Sequence, residues 1–158
     1  MKASLSDAFF VVARKRLNEH PELRHTWEGP ERDGRRVLRI PKQDENGFDL
    51  QIECESYALY PAADGWHGAP WDNDPSHGTP ESIAEQCLGF VRTVLSPDAV
   101  LRVRYSAGKP YKWILVYPND KRPVHDETAL FFFNYFGRRE IREYRNHHLP
   151  GRTNGTAT

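Results

Sequence analysis

An α+β fold is what this sequence predicts: a single-domain antiparallel sheet of about six strands with two helices packed on one face, in the order α-β-β-(β)-α-β-β-β-β. Three observations lead there. Two segments place apolar residues on one side at helical spacing, one segment alternates apolar and polar residues through four periods, and the element order lacks the regular strand–helix alternation of a parallel sheet. A chain of 158 residues builds one domain around one core, assigned to residues 1–150, and the closing GRTNGTAT, residues 151–158, reads as a disordered polar tail.

The first helix opens at Ser4, whose hydroxyl suits the N-cap, and sets Leu5, Phe9, Val12, Ala13 and Leu17 on one side. It ends at NEHPE, because the residue before Pro21 is pushed out of helical geometry. RRVLRIP and GFDLQIECE then read as strands joined by the turn residues KQDENG. In the second of these Phe48, Leu50, Ile52 and Cys54 alternate with Asp49, Gln51, Glu53 and Glu55, which buries one face and turns the other outward. SYALYP extends this strand past a bend or forms a third.

Thr79 as N-cap, Pro80 at the first helical position and Glu81 beside the positive end of the dipole mark a second helix. Its apolar stripe is Ile83, Cys87, Phe90, Val91 and Val94. VLRVRY and YKWILVYP follow as strands separated by the turn SAGKP, the latter apolar on both sides and so central. The aromatic run ALFFFNYF reads as a further strand, with Gly137-Arg138-Arg139 turning the chain into a return strand over 138–146; a helix there is the alternative.

Formal charge is zero, so the net field points to neither nucleic acid nor an anionic membrane, and no run approaches the length of a membrane span. Its distribution is uneven. Residues 1–40 carry nine basic and six acidic groups, residues 41–98 two and eleven, and residues 99–158 eleven and five. Either the acidic middle lies beside the basic last third and each screens the other, or it forms a face aimed at a basic partner. With no secretory signal pattern at the start and two cysteines, Cys54 and Cys87, at apolar positions, a cytoplasmic location and buried thiols are expected.

The segment GWHGAPWDNDPSHGTPE, Gly65 to Glu81, is too rich in proline and glycine to form one regular element. Its two tryptophans either dock inward and pin the loop or present rings to a partner. His67, Asp72, Asp74 and His77 offer nitrogen and oxygen ligands to a divalent ion such as zinc, although H-x4-D-x-D-x2-H matches no metal motif with a mechanical rationale. Otherwise no cofactor is expected. Glu53 and Glu55 share a strand face at a spacing compatible with paired-carboxylate hydrolysis, but acids on an outer strand face ordinarily meet solvent or arginines such as Arg102 and Arg104.

The basic aromatic segment NYFGRREIREYRNHH contains Glu140 and Glu143, which weighs against nucleic acid. The expected function is therefore a non-catalytic protein-binding module, monomer or homodimer, of the kind small immunity or chaperone domains exemplify. Its partner surface would comprise Asp49, Glu53, Glu55, Tyr57, Trp66 and Trp71. The alternatives are a metalloprotein or hydrolase built on the loop, or a small-ligand pocket lined by Phe131, Phe133, Tyr135, Trp113 and Tyr57.

Overall fold

The computed structural model describes residues 4–29, 35–119 and 121–150; the tail at 151–158 lies outside them. Ser4 caps α1 (Leu5–Asn18) by accepting from the Asp7 amide at 3.1 Å. Strands β1 (Thr26–Glu28), β2 (Arg36–Ile40), β3 (Leu50–Cys54), β4 (Ala58–Ala63) and β5 (Trp66–His67) follow in antiparallel succession, and β6 (Trp71–Asp72) also pairs with β4. After a 3-10 turn at Pro75–His77 come α2 (Pro80–Val94) and β7 (Val100–Ser106), β8 (Lys109–Tyr117), β9 (Val124–Ala129) and β10 (Arg139–Tyr144). Thr79 caps α2 through the Ser82 amide with Pro80 in the first turn, as its sequence dictates.

The class is α+β with antiparallel sheets, and the six-stranded sheet β1 to β6 is joined by a second sheet in the order β10-β7-β8-β9. Helix α1 packs against α2 and against β3 and β4. The core draws on both helices and both sheets: Leu5, Phe9, Ala13, Ile83, Cys87, Val91, Leu38, Ile52, Leu101 and Leu115 are all buried in one cluster. Phe90 on α2 joins the two sheets, its ring lying 6.0 Å from Trp66, 5.1 Å from Trp71 and 5.3 Å from Tyr117. Cys54 and Cys87 are fully buried and unbridged; burial pushes the Cys54 thiol up to about 12, which leaves it a small hydrophobe.

Two hairpins turn on paired left-handed residues. Asp64 and Gly65 (φ 42° and 98°) link β4 to β5, and Ala107 and Gly108 (φ 50° and 76°) link β7 to β8. A third hairpin, expected at Gly137, does not form. The strand before it is VHDETA, residues 124–129, whereas Leu130 to Gly137 is a loop that carries the chain past β8 and β7 to put β10 beside β7. Residues 138–146 do hold a strand, not a helix. Asn146 fixes the chain after β10: fully buried, it accepts from the Phe48 amide at 3.2 Å and donates to the Val94 carbonyl at 3.3 Å. Among the described residues no helix is long and apolar enough to cross a membrane.

Candidate functional site

Strand pairing assembles the outer face of the first sheet from one residue per strand. Thr26 pairs with Arg39, Arg39 with Gln51, Gln51 with Ala62, and Ala62 with His67, a continuous row across five strands. The adjacent row runs Glu28, Val37, Glu53, Tyr60. Leu38, Ile40, Leu50 and Ile52 point the opposite way into the core, which is why their sequence neighbours line up outside. The first row floors a concavity of about 370 Å³ bordered by Asp49 and Asp64.

The polar side chains here are held in place. Arg39 donates to Glu28 at 2.7 Å and to Gln51 at 2.5 Å, and the Glu28 carboxylate raises the guanidinium's affinity for its proton. Asp49 accepts from the Lys42 amide at 2.8 Å. Asp64 receives the Asp49 amide at 3.4 Å, and crowding by its neighbours together with the Asp49 charge pushes its carboxyl above the usual range.

The sequence candidates divide. Asp49 lies at the rim of the concavity. Glu53 is on the same face but pairs with Arg35 at 2.5 Å, with its side chain 20% exposed, so part of the expected acidity is neutralised locally. The partners suggested for it are elsewhere: Arg102 is in the second sheet and bonds Glu143 at 2.8 Å. Glu55 follows β3, and the Tyr60 hydroxyl, together with the Glu55 carboxylate, pushes the Tyr57 phenol above its usual range. Tyr57 is exposed.

The two tryptophans face inward. Trp66 is 1% exposed, donates its indole N–H to the Asp126 carbonyl at 3.2 Å, and so belongs to the core instead of a surface offered to a partner. Trp71 is half-buried against Phe90.

The proposed metal ligands do not converge. Asp74 caps the 3-10 turn through the Ser76 amide, and Asp72 bonds the His77 ring at 2.8 Å. His67 stands on β5, where its backbone exchanges hydrogen bonds with the Thr128 hydroxyl at 2.9 and 3.1 Å. No three His, Cys, Asp or Glu side chains group as metal ligands among the described residues. Of the residues expected to line a small-ligand pocket, Phe133 and Tyr135 touch, their ring centroids 4.3 Å apart, and the Tyr135 hydroxyl donates to the Phe131 carbonyl, but Phe131 is 88% exposed and Trp113 packs apart, against Gly65, so they enclose no pocket together. The groove between the helices, about 340 Å³, is instead lined by residues such as Leu17, Leu88 and Arg92.

Arg39, Gln51 and Ala62 are what sequence reasoning missed, and His67, expected as a metal ligand, joins them in the row. Alternation in RRVLRIP and GFDLQIECE already turned Arg39 and Gln51 outward, but register between strands carries no local signal. Basic residues of the last third close ion pairs within that third, Arg102 with Glu143, Lys112 with Glu127 and Arg142 with Glu140, while Glu53 and Glu85 of the acidic middle pair with Arg35 and Arg16 of the first. No protein-family model matches the chain, and no curated protein or solved structure shows detectable similarity to it.

Proposed function

We propose that the chain is a non-catalytic binding module that docks a protein partner on the outer face of its first sheet. One observation carries this: the row Thr26, Arg39, Gln51, Ala62, His67 crosses five strands on an open face and floors a concavity with hydrogen-bonded polar walls. Side chains held in place before contact lose little freedom on binding. Ala62, between Gln51 and His67 in that row, is small and leaves space for a partner's side chain, while Asp49 and Asp64 at the rim supply negative charge that attracts a basic surface.

Ala62→Arg fills that space without touching the core face. Crosslinking with the wild-type chain and with this variant in the same extract tests the reading. Proteins captured by the wild type should be lost with A62R, and their capture should weaken between about 50 and about 500 mM salt, as screening of exposed charges requires. Capture of the same proteins by both chains, or with no salt dependence, would remove the outer face from consideration.

A further inference from the structure

The second sheet ends in two edges with different fates. On one side β9 lies against β5, where the Trp66 indole bonds the Asp126 carbonyl and the Thr128 hydroxyl bonds both backbone groups of His67. On the other side β10 is bare: of its six residues only Tyr144 is even half-buried, and Ile141 is 58% exposed.

Backbone parity shows which groups are offered. Ala107 donates to the Arg138 carbonyl at 3.0 Å and Ser106 stands opposite Arg139, so Glu140, Arg142 and Tyr144 turn their N–H and C=O toward β7. Arg139, Ile141 and Glu143 turn theirs away. The next outward group, the Arg145 amide, is taken by the Asn46 carbonyl at 2.8 Å, which limits the open run to residues 139–143.

We propose that the chain forms a two-fold homodimer by antiparallel pairing of β10 with β10 of a second copy, centred on Ile141. In that register Ile141 meets Ile141 once, on the axis, while Arg139 meets Glu143 and Glu140 meets Arg142, each twice by symmetry. Pairing about this centre makes about six backbone hydrogen bonds from the three outward residues of each copy. Charge selects the register. Centring on Glu140 or Glu143 opposes two glutamates, and centring on Arg139 or Arg142 opposes two arginines, while odd offsets would match an outward backbone with an inward one. Charges on an edge strand ordinarily prevent pairing; here they prevent every register but one.

Apolar surface at the same end adds area. Antiparallel pairing sets the start of β10, where the loop from Leu130 to Gly137 joins it, alongside the end of its copy. Phe131, Phe132 and Phe136 in that loop are 88%, 92% and 100% exposed. Their rings present roughly 500 Å² per copy, a large share of the about 800 Å² per partner in a standard interface. In the single chain Arg139 lies over Tyr111 and Phe133 at 5.1 and 4.9 Å, at the junction of loop and strand.

This dimer uses the second sheet and goes beyond the docking face, so its failure leaves that reading untouched. Sedimentation equilibrium of the full chain over a wide concentration series should show a monomer–dimer equilibrium. E140R opposes like charges at two places and should raise the dissociation constant about tenfold or more. E140R/R142E restores complementarity across the two-fold axis, keeps the opposite charges within the strand, and should return dimerisation to near wild type. Ile141→Pro removes the outward N–H at the centre without a bond to β7 being lost, and should abolish the dimer while circular dichroism confirms the fold.

A monomer at all concentrations overturns the proposal. So does a dimer indifferent to E140R and Ile141→Pro, or a double variant no better than E140R. Cosedimentation of a strictly monomeric chain with anionic vesicles would assign the exposed rings to a lipid surface and overturn it likewise.

Discussion

Asp64 shows how one residue answers to both backbone and charge. It occupies a left-handed conformation at φ 42° in the β4–β5 turn, which Asp and Asn tolerate better than other side chains, yet its carboxylate is crowded and stands near Asp49. Because the folded protein raises this carboxyl above its ordinary range, ionisation costs stability. The cost is absent below the unfolded pKa and appears as pH rises through the folded one. Asp64→Asn keeps the turn conformation and an oxygen acceptor for the Asp49 amide. It should therefore stabilise the protein at neutral pH by a few tenths of a kcal/mol, solvent screening included, and give no gain near pH 3, as urea midpoints at the two pH values will show. Arg36 is the opposite case: almost fully buried, it donates to Asp7 at 2.8 Å, and the bonds from Ser4 and from this guanidinium hold the Asp7 carboxyl below its usual range.

At the scale of elements, the two hairpin turns form a matched pair. Gly65 and Gly108 both lie at positive φ, but an added Cβ at Gly65 would come within 2.5 Å of the Trp113 ring, while at Gly108 it meets nothing within 4 Å. Gly108→Ala should cost about 1 kcal/mol for the left-handed backbone alone, and Gly65→Ala more, by the cost of displacing an indole from a packed position. Equal losses in denaturant melts would show that the ring moves freely. Elements were largely legible in the sequence. Ser4 and Thr79-Pro80 announced the helix starts, and the alternation from Phe48 to Glu55 announced β3 and its two faces, because caps and periodicity are local. VHDETA was not legible as a strand, since its burial alternates without strongly apolar residues. The aromatic run after it carried the propensity of a strand and formed a loop instead, tertiary pairing having overridden local preference.

For the whole molecule, the division into two sheets and the placement of β10 beside β7 had no sequence signal, because which strands pair is decided by contacts far apart in the chain. The same gap explains why the outward residues of β2 and β3 were legible but the row they form with Thr26, Ala62 and His67 was not. What unites the sheets is the aromatic contact of Phe90 with Trp66, Trp71 and Tyr117, together with the Trp66 bond to Asp126. The two sheets should accordingly unfold as one unit: tryptophan fluorescence and far-ultraviolet circular dichroism should give coincident urea transitions. Trp66→Ala should cost roughly 3–5 kcal/mol, and separated transitions in the wild type would mean that the second sheet melts independently.

The contact that β5 makes with β9 has a consequence for growth. A sheet with two bare rims can add strands without end, the route by which folded chains propagate into fibres. Here the protein's own Trp66 and His67 lie against one rim of the second sheet through Asp126 and Thr128, so a strand arriving at that rim would have to displace these contacts, whereas one arriving at β10 meets its outward residues directly.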